Sequence, residues 1–323
     1  MRTNRRRKAA VLFRAPLLAF LVACSNSTGP GNTTHPDGTV AGAPAIASRP
    51  FAVAISAHDI AYVGRQDLPF LQATPLPDTG FGDSVRVGSD PTDIAFNASG
   101  STAYVTNQFS SNVGIITVAA GVSTDSVAVP GNPFRILVAP NGTQVYVSTN
   151  VDSVYAIAVS SKTFMHRWGF PAPVNGMALS ANGGTLWVST IGGELFRLNT
   201  SGLGPVDTVF IGGVLQDVAL SPDESELYVA NETGSLTVRN PTTLAAIDSV
   251  PGAAGAFGLK STPDGVQLYA TYPGAGLIKI IDVAGRTVGP TLVVGGTPRR
   301  IAFNQEGTIA LVPNEAGFVS VIR

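Results

Sequence analysis

Residues 219–231 read Ala219-Leu-Ser-Pro-Asp-Glu-Ser-Glu-Leu-Tyr-Val-Ala-Asn231, two short apolar runs on either side of a Ser-Pro-Asp turn signal. Residues 132–147, Asn132-Pro-Phe-Arg-Ile-Leu-Val-Ala-Pro-Asn-Gly-Thr-Gln-Val-Tyr-Val147, follow the same plan around Pro-Asn-Gly. β-branched and aromatic residues favour strands, and Pro, Asn, Asp and Gly favour tight turns. Both stretches therefore predict antiparallel strand pairs, with Tyr228 and Tyr146 at equivalent places in the second strand.

This aromatic position recurs along the chain at intervals of 41 or 42 residues: Tyr62, Tyr104, Tyr146, Trp187, Tyr228, Tyr269 and, in the same register, Leu311. A period of 40 to 45 residues is the length of one four-stranded propeller blade. Seven copies are enough to close a ring. The sequence therefore predicts an all-β, seven-bladed β-propeller of antiparallel four-stranded blades over residues 38–323. The recurring aromatic side chains are expected to pack between adjacent blades.

The seventh copy is one strand short. After Leu311 only residues 318–322 form a further apolar run, while residues 38–48 precede the first copy without a place in it. An open ring would expose an unpaired strand edge, which natural proteins avoid. We therefore predict that residues 38–48 pair beside 318–322 and complete the last blade.

A family resemblance follows from these motifs. Tyr104-Val105-Thr106-Asn107, followed by Ser110-Ser-Asn-Val-Gly-Ile-Ile-Thr-Val118, resembles the YVTN β-propeller repeat of bacterial and archaeal cell-surface proteins. Tyr146-Val-Ser-Thr149 and Tyr228-Val-Ala-Asn231 are close variants. The resemblance covers about residues 50–323 and implies the fold without implying an activity. Lactonase-type and quinoprotein-like propellers are similar in shape.

Residues 1–23 are expected to be a signal peptide. They hold six basic residues and no acidic one, and the apolar stretch at 15–23 is too short to span a bilayer. Leu21-Val22-Ala23-Cys24 resembles the lipobox of bacterial lipoproteins, which implies a lipidated Cys24; an ordinary secretory signal is the alternative. Ser25 then implies the outer membrane. The polar, Gly- and Pro-rich residues 24–37 predict a flexible tether in which His35 is solvated.

Composition narrows the possible partners. Without residues 1–23 the chain has 14 basic against 21 acidic residues, a net charge of −7, which disfavours a non-specific nucleic-acid binder. Cys24 is the only cysteine, so no intramolecular disulfide can form. No metal-ligand spacing, calcium loop or Gly-x-Ser-x-Gly elbow occurs. We expect a monomer without metal or cofactor, held at the membrane through Cys24.

The candidate ligand site lies at the start of the innermost strands, because the loops there share one face of a propeller around its central channel. We select six candidates from two successive positions of this register: Asp93, Arg135, Asp217 and Arg300 at one position, and Asn175 and Arg299 at the position before it. Guanidinium groups hold carboxylates or phosphates, and carboxylates accept hydroxyls or amines. The alternative is inter-blade Arg–Asp pairing, with the Asn residues after the second strands capping loops.

Three functions fit these residues. The first is a non-enzymatic, lipid-anchored scaffold of the cell envelope that binds a protein, peptidoglycan or glycan partner. The second is a hydrolase or lactonase that uses Asp93 or Asp217 with an arginine clamp at the channel mouth. Against it, lactonase-type rings often place a His after the innermost Pro-Arg, where this chain has Arg300. The third is a redox ring carrying a quinone, for which Trp168 and Trp187 supply no platform.

Overall fold

The computed structural model describes residues 35–202 and 204–323. The predicted signal peptide, Cys24 and most of the predicted tether lie outside the described residues. Within the described part, no helix is long and apolar enough to cross a membrane. Apart from one 3₁₀ turn at Val118–Ala120, the described secondary structure is all strand.

Twenty-eight strands are described. The first is β1 (Val40–Gly42). Blade 1 is β2 (Pro50–Ile55), β3 (Ile60–Arg65), β4 (Phe70–Pro75) and β5 (Asp83–Arg86). Blade 2 is β6 (Pro91–Phe96), β7 (Thr102–Asn107), β8 (Asn112–Thr117) and β9 (Val122–Ala128). Blade 3 is β10 (Pro133–Val138), β11 (Gln144–Thr149), β12 (Ser153–Ala158) and β13 (Phe164–Gly169).

The remaining blades follow the same order. Blade 4 is β14 (Val174–Leu179), β15 (Thr185–Thr190), β16 (Glu194–Asn199) and β17 (Pro205–Phe210). Blade 5 is β18 (Leu215–Leu220), β19 (Leu227–Asn231), β20 (Thr237–Arg239) and β21 (Ala246–Ser249). Blade 6 is β22 (Leu259–Ser261), β23 (Gln267–Tyr272), β24 (Leu277–Asp282) and β25 (Thr287–Val293). Blade 7 contains β26 (Ala302–Phe303), β27 (Ala310–Asn314) and β28 (Phe318–Ile322).

Each blade is a four-stranded antiparallel sheet, which confirms the predicted seven-bladed architecture. The last sheet has the order β1-β28-β27-β26, so the N-terminal strand supplies its outer edge. Val40 pairs with Ile322, Gly42 pairs with Val321, and Ala45 bridges to Phe318. The prediction that residues 38–48 close the ring beside 318–322 is therefore confirmed.

The core lies between neighbouring blades, and the recurring aromatic position marks each interface. All seven landmark side chains are at most 4 % exposed. Tyr104 packs with residues of blades 2 and 3, Trp187 with blades 4 and 5, and Leu311 with blades 7 and 1. As predicted, these side chains are packing residues and not a stacking surface for ligands.

The four side chains of Tyr104-Val105-Thr106-Asn107 have different structural roles. Tyr104 and Val105 are buried in the interfaces on either side of blade 2. The Thr106 hydroxyl donates to the Phe134 carbonyl of blade 3 at 3.2 Å. The Asn107 side chain donates to Asn112 at 2.8 Å, across the loop to the next strand. Two residues therefore fill the core, one ties the next blade, and one caps a loop.

One tether residue departs from expectation. His35 was predicted to be solvated, but its Nδ1 lies 2.9 Å from Oδ2 of Asp264 on blade 6, and the ring is three-quarters covered. The neighbouring Pro36 is buried, and its carbonyl accepts a long hydrogen bond of 3.5 Å from Tyr269. The end of the predicted tether is thus packed on the ring, because Asp264 offers an acceptor at its surface.

Candidate functional site

Bulges at the start of the innermost strands determine which side chains enter the central channel. The pairing of β6 with β7 shifts register between Pro91 and Asp93, and that of β18 with β19 shifts between Leu215 and Asp217. β2, β10 and β14 carry the same irregularity. A bulge re-aims side chains next to it. Two successive residues per blade, such as Phe134 and Arg135, are thereby both directed at the channel.

Three phenylalanines close one end of the channel. Phe51, Phe134 and Phe257 form their own buried cluster, which we call the aromatic cap. The Phe51 ring lies 6.1 Å from Phe134 and 6.3 Å from Phe257, between ring centroids. These residues belong to blades 1, 3 and 6, which are not neighbours, so their contacts are made across the channel. This capped end is the face where the sequence places the candidate mouth.

Directly beneath the cap lies the charged layer, Asp93, Arg135, Asp217 and Arg300. Arg135 Nη2 is 3.1 Å from Asp217 Oδ1, and Arg135 Nε is 3.5 Å from Asp93 Oδ2. Arg300 Nη1 is 3.4 Å from Asp217 Oδ2. Arg300 also lies beneath the aromatic cap, 5.3 to 5.6 Å from its three ring centroids. Four of the six predicted site residues therefore form one network joining blades 2, 3, 5 and 7.

Burial and the neighbouring charges shift the pKa values of the two guanidiniums in this layer in opposite directions. Burial opposes the charge on Arg135, but Asp217 and Asp93 outweigh that effect and raise the pKa of its guanidinium. For Arg300, burial and then the neighbouring Arg135 lower the pKa to about 10, which still leaves the side chain protonated at neutral pH. Both guanidiniums of the layer therefore carry a positive charge at neutral pH.

Each carboxylate also accepts a hydrogen bond from a backbone amide of another blade. Asp93 Oδ2 accepts from the Ile136 amide of blade 3 at 3.0 Å, and Asp217 Oδ2 accepts from the Leu259 amide of blade 6 at 3.1 Å. Asp217 Oδ1 accepts from its neighbour's amide, that of Val218, at 3.0 Å. With two guanidiniums as well, Asp217 is held by four donors. The lone pairs of this carboxylate are therefore directed at protein donors.

Two glycines in the same register explain why the layer holds so few side chains. A Cβ added at Gly176 would lie 2.4 Å from the Ser189 hydroxyl and 2.8 Å from the Asp217 backbone. One at Gly258 would lie 2.4 Å from the Arg299 carbonyl. Side chains there would force neighbouring blades apart.

The other two predicted site residues stay at the capped end, apart from the charged layer. Arg299 Nε donates to Glu315 at 2.5 Å, and its guanidinium lies 4.7 Å from the Phe257 centroid. Asn175 donates to Gln216 at 2.7 Å, and Gln216 donates to Glu232. The structure therefore brings all six residues to one end of the channel, where each is engaged with protein partners.

The open end of the channel lies on the opposite face. A cavity of about 530 Å³ is lined by blades 3 to 7, with the Pro140, Pro222 and Pro263 turns at its rim. A second cavity of about 250 Å³ continues inward and reaches the charged layer. The two share Arg135, Leu137 and Lys260 in their walls.

Sequence reasoning missed Phe51, Lys260 and Glu315. Phe51 shares the register of Phe134 and Phe257, so the repeat itself held the signal for an aromatic cap. Lys260 lies two residues past the predicted mouth. When the copies are aligned, five of the others have alanine at this position: Ala54, Ala95, Ala178, Ala219 and Ala302. A lysine there is therefore a visible departure from the repeat. Glu315 gave no such signal, because it lies in a variable loop.

The described part of the chain shows neither a metal-binding cluster nor a histidine in the charged layer. No group of three His, Cys, Asp or Glu side chains there is arranged to hold a metal ion. His35 pairs with Asp264, His58 lies in a turn on the open face, and His166 packs edge-on against Trp168 at 4.3 Å between ring centroids. None of these imidazoles joins the charged layer.

No protein-family model and no curated protein sequence matches this chain. Solved structures do resemble it. Hydrazine synthase of Kuenenia stuttgartiensis superposes with a TM-score of 0.77 at 16 % identity, covering 88 % of this chain and 99 % of that one. The Cps50 (Swd1) β-propeller domain of Myceliophteria thermophila gives a TM-score of 0.77 at 13 % identity, with the same coverage.

The class of the protein follows from these observations. It is a seven-bladed β-propeller. At such low identity the likeness shows the fold alone, because one fold supports many unrelated functions.

Proposed function

We propose that the protein is a YVTN-type propeller of the bacterial cell envelope, anchored through lipidated Cys24, that acts as a non-enzymatic binding scaffold. One observation carries the proposal: the charged residues of the predicted mouth are consumed in ion pairs and inter-blade hydrogen bonds beneath an aromatic cap. A hydrolytic site needs an accessible nucleophile or base near an oxyanion donor. Asp93 and Asp217 instead connect blades through ion pairs and hydrogen bonds.

The capped face favours a protein as the partner, over peptidoglycan or a free glycan. Phe109, Val151 and Ile191 lie one or two residues after the second strands of blades 2, 3 and 4, with exposures of 75, 47 and 37 %. Phe210, at the same end of β17, is 70 % exposed. Apolar and aromatic side chains exposed together are typical of protein interaction surfaces.

Two variants test the interaction surface. We expect an envelope protein to co-purify with the intact protein, and Phe109→Ser combined with Ile191→Ser to abolish its retention. Phe164→Ser is the matched control, because the exposure of Phe164, 48 %, lies between those of Phe109 and Ile191 but Phe164 is on the outermost strand of blade 3. Equal loss in the control, or selective retention on purified peptidoglycan, would contradict a protein partner.

The membrane anchor has its own test. Labelling cells with an alkyne fatty acid should mark the wild-type protein, and Cys24→Ser should remove the label and release the protein from the outer-membrane fraction. Label on the Cys24→Ser variant would refute the anchor.

The enzymatic alternative is tested by turnover. A lactone and ester panel should show no activity above background with the purified protein. Turnover that Asp217→Asn removes while the variant remains folded would establish a hydrolase in its place.

A further inference from the structure

The open end of the channel carries a positive charge that the protein does not neutralise. Arg135, Lys260 and Arg300 face only two carboxylates, Asp93 and Asp217, around the two joined cavities. Both carboxylates are already occupied by the guanidiniums and backbone amides described above. One cation of the three is therefore left over.

That cation is Lys260. Among the described residues its ammonium has no hydrogen-bond or ion-pair partner, although its side chain is exposed to the channel. Enclosure by the protein, and then repulsion from Arg135, lower the pKa of Lys260 despite the two carboxylates. Deeper in the same cavity Arg300 is 3 % exposed, and its Nε and Nη2 have no hydrogen-bond partner. An anion entering from the open end would meet unpaired donors.

The walls around Lys260 are apolar. Leu137, Met177, Leu179, Leu220 and Phe303 line the larger cavity. Its rim hydroxyls are already engaged with the protein: Ser180 with Asn182, Ser261 with the Leu220 carbonyl, and Thr262 with Asp264. A sugar would find few free partners here, whereas an apolar body would be covered. The volume of about 530 Å³ lies within the range of small-molecule sites.

We propose that the open end of the channel binds a small organic monoanion with an apolar body, an aliphatic or aromatic carboxylate. Its carboxylate lies at Lys260 below the charged layer, and its apolar part lies against the leucine walls toward the rim. A single negative charge matches the single surplus cation. This site is independent of the partner surface on the opposite face.

Calorimetric titration of the full-length protein tests the site with three probes: octanoate, 1-octanol and acetate. Octanoate should bind at least tenfold more tightly than 1-octanol, which lacks the charge, and than acetate, which lacks the apolar body. Lys260→Met should weaken octanoate binding at least tenfold, and Lys260→Arg should retain it. Lys162→Met is the matched control, because Lys162 is exposed and pairs with Asp125 outside the channel.

A second measurement needs no variant. Octanoate should slow reductive methylation of Lys260, measured by mass spectrometry, while Lys162 and Lys279 react at unchanged rates. No octanoate binding at millimolar concentration, equal affinity for 1-octanol, or binding unaffected in a folded Lys260→Met variant would each overturn the proposal. Binding of octanoate without protection of Lys260 would place the anion elsewhere and overturn it as well.

Discussion

The two ends of the central channel use charge in opposite ways. At the capped end, Arg135 and Arg300 are neutralised by Asp93 and Asp217 beneath three phenylalanines. At the open end, Lys260 has no partner among the described residues and faces apolar walls. The difference indicates that charged residues at a repeated position can hold neighbouring blades together. Lys260, a charged residue where most copies have alanine, instead marks the place where a ligand can bind.

Removing a carboxylate from the charged layer should have the largest effect on stability. Asp217→Ala leaves two guanidiniums without their shared partner and frees the Leu259 amide. Loss of one partner of a buried ion pair costs about 3–5 kcal/mol, which we expect to appear as a lower free energy of unfolding in urea. Asp207→Ala, on an exposed outer strand, is the control and should change the value by less than about 0.5 kcal/mol.

Truncation of the aromatic cap should come next. Phe257→Ala removes a buried ring that contacts Phe51 and underlies Arg299, and we expect a cost of about 3 kcal/mol. Leu179→Ala at the open end, where the side chain is only half-buried, should cost about 1 kcal/mol. The losses of stability of the two variants can be compared by thermal unfolding. Equal losses would contradict the claim that the capped end is packed more tightly than the open end.

The capped face should also be sensitive to pH through Asp90, which is 5 % exposed. Burial raises the pKa of its carboxyl from 3.8 to about 6, with Arg49 opposing and Glu315 and Asp67 adding to the rise. The folded protein therefore favours protonated Asp90. This stabilisation is present below about pH 4 and is lost as the pH rises through 6.

Asp90→Asn isolates that effect, because Asn tolerates the positive φ of 58° at this position. Urea unfolding at pH 4 should give nearly equal stabilities for the variant and the wild type. At pH 7.5 we expect the variant to be more stable by about 1–3 kcal/mol. A difference independent of pH would contradict the raised pKa.

Lys260→Met should have the smallest effect on stability. It removes the surplus charge without breaking any hydrogen bond or ion pair, so the free energy of unfolding should stay within about 0.5 kcal/mol of the wild type. Urea denaturation checks this. A decrease of several kcal/mol in the free energy of unfolding would mean that Lys260, like Arg135, helps to hold the blades together.

The fold was predictable because its determinants are local and repeated. The position shared by Tyr104, Tyr146 and Tyr228 recurs at the blade period, and the seventh copy lacks a strand that residues 38–48 supply. Register also brought the six candidate residues to one end of the channel. Register did not reveal the contacts across the axis: Phe51 meets Phe134 and Phe257 from non-adjacent blades. Such contacts depend on channel width, which the length of the repeat does not determine.

The mouth itself was therefore the less predictable part. Both ligand binding and inter-blade pairing were open from the sequence, since Asp and Arg serve either purpose. Only distances such as 3.1 Å between Arg135 and Asp217, and amide donors such as Leu259, show the pairing. Lys260 lies further along its strand than the residues that open the predicted mouth, so the register of the mouth did not include it.

A double-mutant cycle between Arg135 and Asp217 tests the central claim most directly. If the charged layer fastens the ring, Arg135→Met and Asp217→Leu should each destabilise the protein strongly, and the double variant should lose less than the sum by about 1–3 kcal/mol. This coupling should be measured as free energies of unfolding in urea. Additive losses, or single variants as stable as the wild type, would contradict the claim that these ions hold the blades together.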